Sequence, residues 1–147
     1  MTGCAGQRYD KAIIAGPSLP DTGLFILPVK GAIALPYGSR EDGISIKGIV
    51  LEPRGADAKV VAAKAGEVVF ADEELRGYGK TLILQHADNF STVYARNSKI
   101  LVHPGERVQE GQVIALAGTR NARRVYFEIR KDSKAVDPAL YLRNYRE

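Results

Sequence analysis

The stretch RVQEGQVIALAG, Arg107–Gly118, decides how this chain is to be read. Gly111 sits where the chain must reverse, and Val113, Ile114 and Leu116 form an apolar run that is short for a helix and right for a strand. A second stretch, AAKAGEVVFA at Ala62–Ala71, repeats its Gly-x-Val-(Val/Ile) centre, which fits an internally duplicated β fold. Further runs of the same kind lie on either side. Candidate strands are Lys59–Val61, Glu67–Ala71, Thr81–Gln85, Ser91–Ala95, Lys99–Val102, Gln112–Leu116 and Val125–Arg130. The segments between them (AKAG, LRGYG, HADN, HPGE, QEG, AGTRN) supply the Gly, Pro or Asn that tight turns need. Such regular spacing predicts an all-β sandwich or barrel. Only VDPALYLRNY reads as helical, with Asp137 as cap and Pro138 in the first turn.

Fifteen glycines, seven prolines and one methionine in 147 residues agree with strands and turns over a helix bundle. The length fits one domain, taken as residues 24–147, preceded by an arm over residues 1–23 that carries GPSLPDTG and no lasting periodicity. With 45% hydrophobic and 26% charged residues, the composition is that of a folded chain rather than a disordered one. No apolar run approaches the roughly 18 residues that span a bilayer. The formal charge of +4 suits an anionic partner as well as an ordinary solvated surface. No nucleic-acid motif or stacking platform accompanies it. Cys4 is the single cysteine, so neither an internal disulfide nor a cysteine zinc cluster is available. Its TGCAG context is either the end of a bacterial lipobox, marking Cys4 for lipidation, or chance, since no apolar leader stretch precedes it.

Strand alternation assigns faces. In RVYFEIR, Val125, Phe127 and Ile129 form one face, while Arg124, Tyr126, Glu128 and Arg130 form the other. In STVYARN, the same rule groups Thr92, Tyr94 and Arg96. These second faces read either as solvated outer surface or as a cationic, tyrosine-bearing groove.

In order along the chain, LPYGSR, IKGIVL, AAKAGEVVFA, RGYGKTLILQH, VYARNS, VHPGERVQEGQVIALAG, RVYFEIR and VDPALYL resemble the LytM domains of the M23 peptidase family. The likeness runs from about Leu27 to Leu142 and implies the hybrid β-sandwich or barrel fold of that family, with a short C-terminal helix. Working members are zinc endopeptidases of peptidoglycan or glycylglycine. The resemblance places their zinc ligands at Ile46, Val50 and Tyr126, and their catalytic histidines at Arg96 and Arg124. None of these is retained. Ile and Val offer no donor atom, and Arg stays protonated and repels a cation. Neither His86 nor His103 falls in a ligand motif, and both read as surface or packing residues. No cofactor is expected and, without a metal or general base, no hydrolysis.

The pattern is similar to that of degenerate LytM factors of the murein-hydrolase-activator type. This implies a non-catalytic protein of the periplasm or outer membrane, with Cys4 as the residue for a lipid anchor, that switches on an N-acetylmuramoyl-L-alanine amidase during cell separation. The expected partner surface is the former active-site groove, with Lys47, Tyr78, Tyr94, Arg96, Arg124, Tyr126 and Arg130. The competing readings are a module that binds peptidoglycan without activating anything, an active zinc endopeptidase with unusual ligands, and a carrier or phosphotransfer module of duplicated-β design, for which the sequence offers neither a modifiable Lys in a hairpin-tip motif nor a reactive His in a cleft.

Overall fold

A computed structural model describes residues 24–55, 58–75, 79–118, 123–143 and 145. Cys4 and the rest of the arm, and Tyr78, lie outside the described residues. Among the described residues, twelve strands follow in order: β1 (Gly31–Leu35), β2 (Arg40–Glu41), β3 (Ile44–Ser45), β4 (Ile49–Pro53), β5 (Lys59–Val61), β6 (Gly66–Leu75), β7 (Gly79–Gln85), β8 (Phe90–Ile100), β9 (Arg107–Val108), β10 (Val113–Ala117), β11 (Val125–Lys131) and β12 (Lys134–Val136). Ten of them join in one sheet with the central order β1-β4-β11-β8-β7-β6-β9, while β2 and β3 form a separate hairpin. The all-β expectation holds.

The two echoing stretches bind each other. β5 pairs antiparallel with β10, and Gly66 and Glu67 lie opposite Val108 and Arg107. Gly111 N–H donates to the Ala62 carbonyl and Ala62 N–H to that of Gln112, each at 2.9 Å. Gly66 tolerates no side chain, because a Cβ there would run into the Gln85 carbonyl and the His86 ring.

Two hairpins rest on two-residue turns whose central residues both have positive φ, the geometry that matches strand twist. Asp42 and Gly43 (φ 54° and 79°) join β2 to β3, and Asp132 and Ser133 (φ 51° and 68°) join β11 to β12. KDSK is therefore a hairpin tip with Lys134 already in β12. The expected C-terminal helix is a single 3-10 turn, Pro138–Leu140. Asp137 does cap it, accepting from Ala139 N–H at 3.0 Å. The chain then leaves the helix because its backbone is claimed elsewhere: Phe25 N–H donates to Tyr141 O and Arg143 N–H to Phe25 O.

Ser91–Ala95 and the first two residues of Lys99–Val102 belong to one long strand, β8, which pairs with β11, β7 and β10 along its length; Leu101 and Val102 lie beyond its end. Its register slips against β7, where Lys80 and Leu82 face Asn97 and Tyr94 and leave one residue of β8 extra. Arg96 takes up the slack with φ 66°. Such a bulge re-aims side chains. Asn97 clamps it, its Nδ2 donating to Tyr94 O at 2.8 Å and to Lys80 O at 2.9 Å.

One core cluster collects Phe25, Ile49, Leu51, Val60, Leu82, Leu84, Tyr94, Ile114, Val125, Phe127 and Ile129. Tyr94 lies opposite Phe127 in the β8–β11 ladder, with ring centroids 5.4 Å apart, so it points into this core. A buried polar chain holds it there. Ala63 N–H donates to Tyr94 Oη at 3.0 Å, Tyr94 Oη and Thr92 Oγ1 are 2.8 Å apart, and Thr92 Oγ1 is 2.8 Å from His86 Nε2. His86 Nδ1 is 2.7 Å from the Ala65 carbonyl. A carbonyl only accepts, so the proton belongs on Nδ1, and Thr92 and Tyr94 each donate toward Nε2. His86 is thus a buried, neutral packing residue, and burial lowers its pKa to about 4.

Candidate functional site

The groove expected from alternation lies over the other side of the same strands, but its members differ. On β11, Tyr126 and Glu128 are only 5% and 3% exposed, so the face opposite Val125, Phe127 and Ile129 is no solvated surface. Tyr94 belongs to the core and cannot line the groove. Arg96 was grouped with Tyr94 by strict alternation; the bulge turns it to the opposite side. Its guanidinium stands 5.5 Å from the centre of the Tyr126 ring. β8 therefore sends two successive residues, Ala95 and Arg96, toward Tyr126.

The three positions at which the family resemblance places zinc ligands do converge. Val50 and Tyr126 face each other across β4 and β11, and with Ala95 they form a second apolar cluster, against which Ile46, Ala34 and Leu35 pack. Gly48 allows this approach, since a Cβ there would collide with the Phe127 carbonyl. The residues present do not fit a zinc ion. Two offer only hydrocarbon, and the Tyr126 hydroxyl already donates to Glu128 Oε2 at 2.6 Å. Zinc needs several N, O or S donors converging at about 2 Å. The centre is packed like a small core.

Around this plug, each of the three arginines is matched with a glutamate. Arg96 forms a two-pronged pair with Glu41, at 2.7 and 3.3 Å. Arg124 is 3.2 Å from Glu52, its cross-strand neighbour on β4. Arg130 Nε donates to Glu128 Oε1 at 2.8 Å, so both oxygens of that buried carboxylate are satisfied. Burying a carboxylate is costly unless it is paired in this way. The hydrogen bond from Arg96 holds the Glu41 carboxyl below its usual range, aided by the charges of Arg96 and Arg124. Lys47 is exposed between the hairpin and β4. Beyond Glu128 and Arg130, a cleft of about 330 Å³ continues across the sheet, lined also by Thr81, Ile83, Ser91, Val93 and Ser133.

The face thus combines an apolar plug, two half-exposed to exposed guanidiniums (Arg96 and Arg124, 35% and 53% exposed) and an adjoining open cleft. Such a surface can bind; among the described residues no group of three or more His, Cys, Asp or Glu side chains stands together to hold a metal ion. Sequence reasoning missed Glu41 and Glu52, and placed Glu128 on this face without its partners; the pairing of these three decides how the arginines are presented. The Asp-Gly turn that places Glu41 was a readable hairpin signal.

A model of peptidase family M23 matches residues 44–138. The uncharacterized lipoprotein YgeR of Escherichia coli K12 is 38% identical over 121 residues, which cover 80% of this chain and 47% of YgeR. The murein hydrolase activator NlpD of Escherichia coli K12 is 37% identical over 117 residues, covering 78% of this chain and 30% of NlpD. The chain therefore spans less than half the length of these curated relatives. Among solved structures, a chain of the SpoIIQ–SpoIIIAH pore-forming complex matches with a TM-score of 0.70 and 26% identity, covering 83% of this chain and 92% of that one.

Proposed function

The chain belongs to peptidase family M23, and from that premise we propose that it is a non-catalytic member that binds a peptidoglycan N-acetylmuramoyl-L-alanine amidase and switches it on. The observation that carries this reading is that Val50 and Tyr126, with Ile46 packed against them and Ala95 beside them, form an apolar cluster at the positions where the family resemblance expects metal ligands. A site filled with hydrocarbon cannot polarise a peptide bond, whereas its rim of Arg96, Arg124 and Lys47 can hold an acidic segment of a partner. Arginine suits that task because its planar fork meets carboxylates in two-pronged fashion. The similarity to a protein named murein hydrolase activator supports the reading. The similarity to a lipoprotein supports a place in the cell envelope, and the lipobox-like context of Cys4 makes it the anchoring residue of this proposal.

The test is dye release from labelled murein by an autoinhibited amidase, with and without this protein. The expected result is release that depends on both proteins, with none from this protein alone. Release by this protein alone would restore the peptidase reading. Co-sedimentation with murein but no effect on the amidase would favour the peptidoglycan-binding module.

A further inference from the structure

We infer that Glu41 is a resident stand-in for a partner carboxylate, so that the β2–β3 hairpin competes with the partner for Arg96. This inference rests on the amidase-binding reading above and names how that site would be regulated.

The hairpin's bonding sets it apart from the body. Among the described residues, the hydrogen bonds of residues 36–46 stay inside the segment: Gly38 N–H to Ile46 O, Ile46 N–H to Ser39 O, Ser39 Oγ to Pro36 O, Ser45 Oγ to Gly38 O, and Arg40 to Gly43 O. The exception is Glu41 on Arg96. At its root the segment is seated by Tyr37 on the main core and by Ile46 on the plug. Its tip, Arg40–Ser45, belongs to a two-stranded sheet of its own, and among the described residues the ion pair that joins it to the body is Glu41 with Arg96. A pair this open to solvent is worth little and is readily exchanged.

The position of the pair gives it a role. Arg96 lies over the Tyr126 ring, at the centre of the plug, and Arg124 is near enough for its charge to act on Glu41. The most favourable seat on this face for an incoming carboxylate is therefore already taken by one from the chain itself. Ile44, 70% exposed at the same tip, adds an apolar side chain that water does not favour. An acidic residue flanked by apolar ones on the amidase would replace Glu41 on Arg96 and could cover Ile44 as the hairpin gives way. Charge complementarity to Arg96 and Arg124 favours an acidic segment over a basic or neutral one.

The prediction has an unusual sign. Glu41→Gln removes the internal competitor while preserving shape, so it should lower the concentration for half-maximal amidase stimulation about two- to fivefold, in the same dye-release assay. In an Arg96→Ala background, Glu41→Gln should change nothing. Thermal melts of each variant confirm that it is folded. Glu67→Gln makes the same charge change beside Arg107, on a different part of the surface, and should leave stimulation as in the wild type. Glu41→Gln equal to or weaker than the wild type would overturn the inference while leaving the amidase reading intact. An equal gain from Glu67→Gln, or a gain that persists without Arg96, would also overturn it, since it would show a general field effect. A wild-type protein that stimulates no amidase would overturn the functional reading and this inference together.

Discussion

Tyr126→Phe removes a single oxygen from the plug and gives the most direct measure of whether this face is interior or surface. The ring keeps its packing against Val50 and Ala95, and Arg96 keeps its place 5.5 Å from the ring centre. What is lost is the 2.6 Å hydrogen bond to Glu128 Oε2. Glu128 is 3% exposed, so water cannot readily take over, and Arg130 is bonded to the other oxygen. A hydrogen bond to a buried charged acceptor is worth about 1.5–3 kcal/mol. For a domain of this size that corresponds to a fall in Tm of roughly 5–12 °C. Urea denaturation at neutral pH, monitored by circular dichroism, measures the difference directly, and the m value should stay unchanged. Combining Tyr126→Phe with Glu128→Gln should cost less than the sum of the two, with a coupling of at least about 1 kcal/mol. If Tyr126→Phe lies within about 0.5 kcal/mol of the wild type, the hydroxyl does not hold the carboxylate and the interior reading of this face is wrong.

The remaining expectations separate function from stability. Arg124→Ala, at a side chain 53% exposed, should leave Tm within a degree or two but raise the concentration for half-maximal amidase stimulation at least tenfold, while Lys134→Ala at the β12 hairpin behaves as wild type in both measurements. Stimulation should also weaken from 50 to 300 mM salt, because part of the attraction is coulombic. Elemental analysis after mild dialysis should find far less than one zinc per chain; a stoichiometric amount would contradict the fit argued for Ile46, Val50 and Tyr126. For His86, nitrogen NMR should show the ring titrating near pH 4. Because its folded pKa lies below the unfolded value of about 6.5, the native state binds fewer protons, so this contribution is complete above pH 6.5 and is lost as pH falls toward 4, by about 2 kcal/mol between pH 7 and 4.5; a midpoint near 6.5 would refute the buried chain.

The proton order of that chain explains the direction. A second proton on His86 forces Thr92 to accept from Nε2 and donate to Tyr94. Tyr94 Oη, already receiving Ala63 N–H, is then left with a hydroxyl proton and no acceptor in a fully buried site. An orphaned buried donor costs on the order of 1–3 kcal/mol, in the same direction as the desolvation of the imidazolium.

Much of this protein was legible in its residues because turn chemistry and period-two alternation are local. Gly111 with the run after it, the Gly66 echo, and Val125, Phe127 and Ile129 on one face led to the right strands and the right fold class, and the ordered motifs led to the family. The positions lacking donor atoms, Ile46 and Val50, needed only their chemistry to be recognised. Tertiary structure decided which face is covered and which side chains meet. Alternation says that Tyr94 and Arg96 share a face, but the mismatch of β8 with β7 inserts a residue, and φ 66° at Arg96 sends the two to opposite sides. Nothing local to STVYARN encodes that mismatch; it arises between residues of different strands. The same holds for the arginines. Arg96, Arg124 and Arg130 read as free cations in sequence, yet each meets a glutamate brought by another element or by the pleat of its own strand. A charge is visible in one dimension, whereas its partner and its solvent exposure are properties of three.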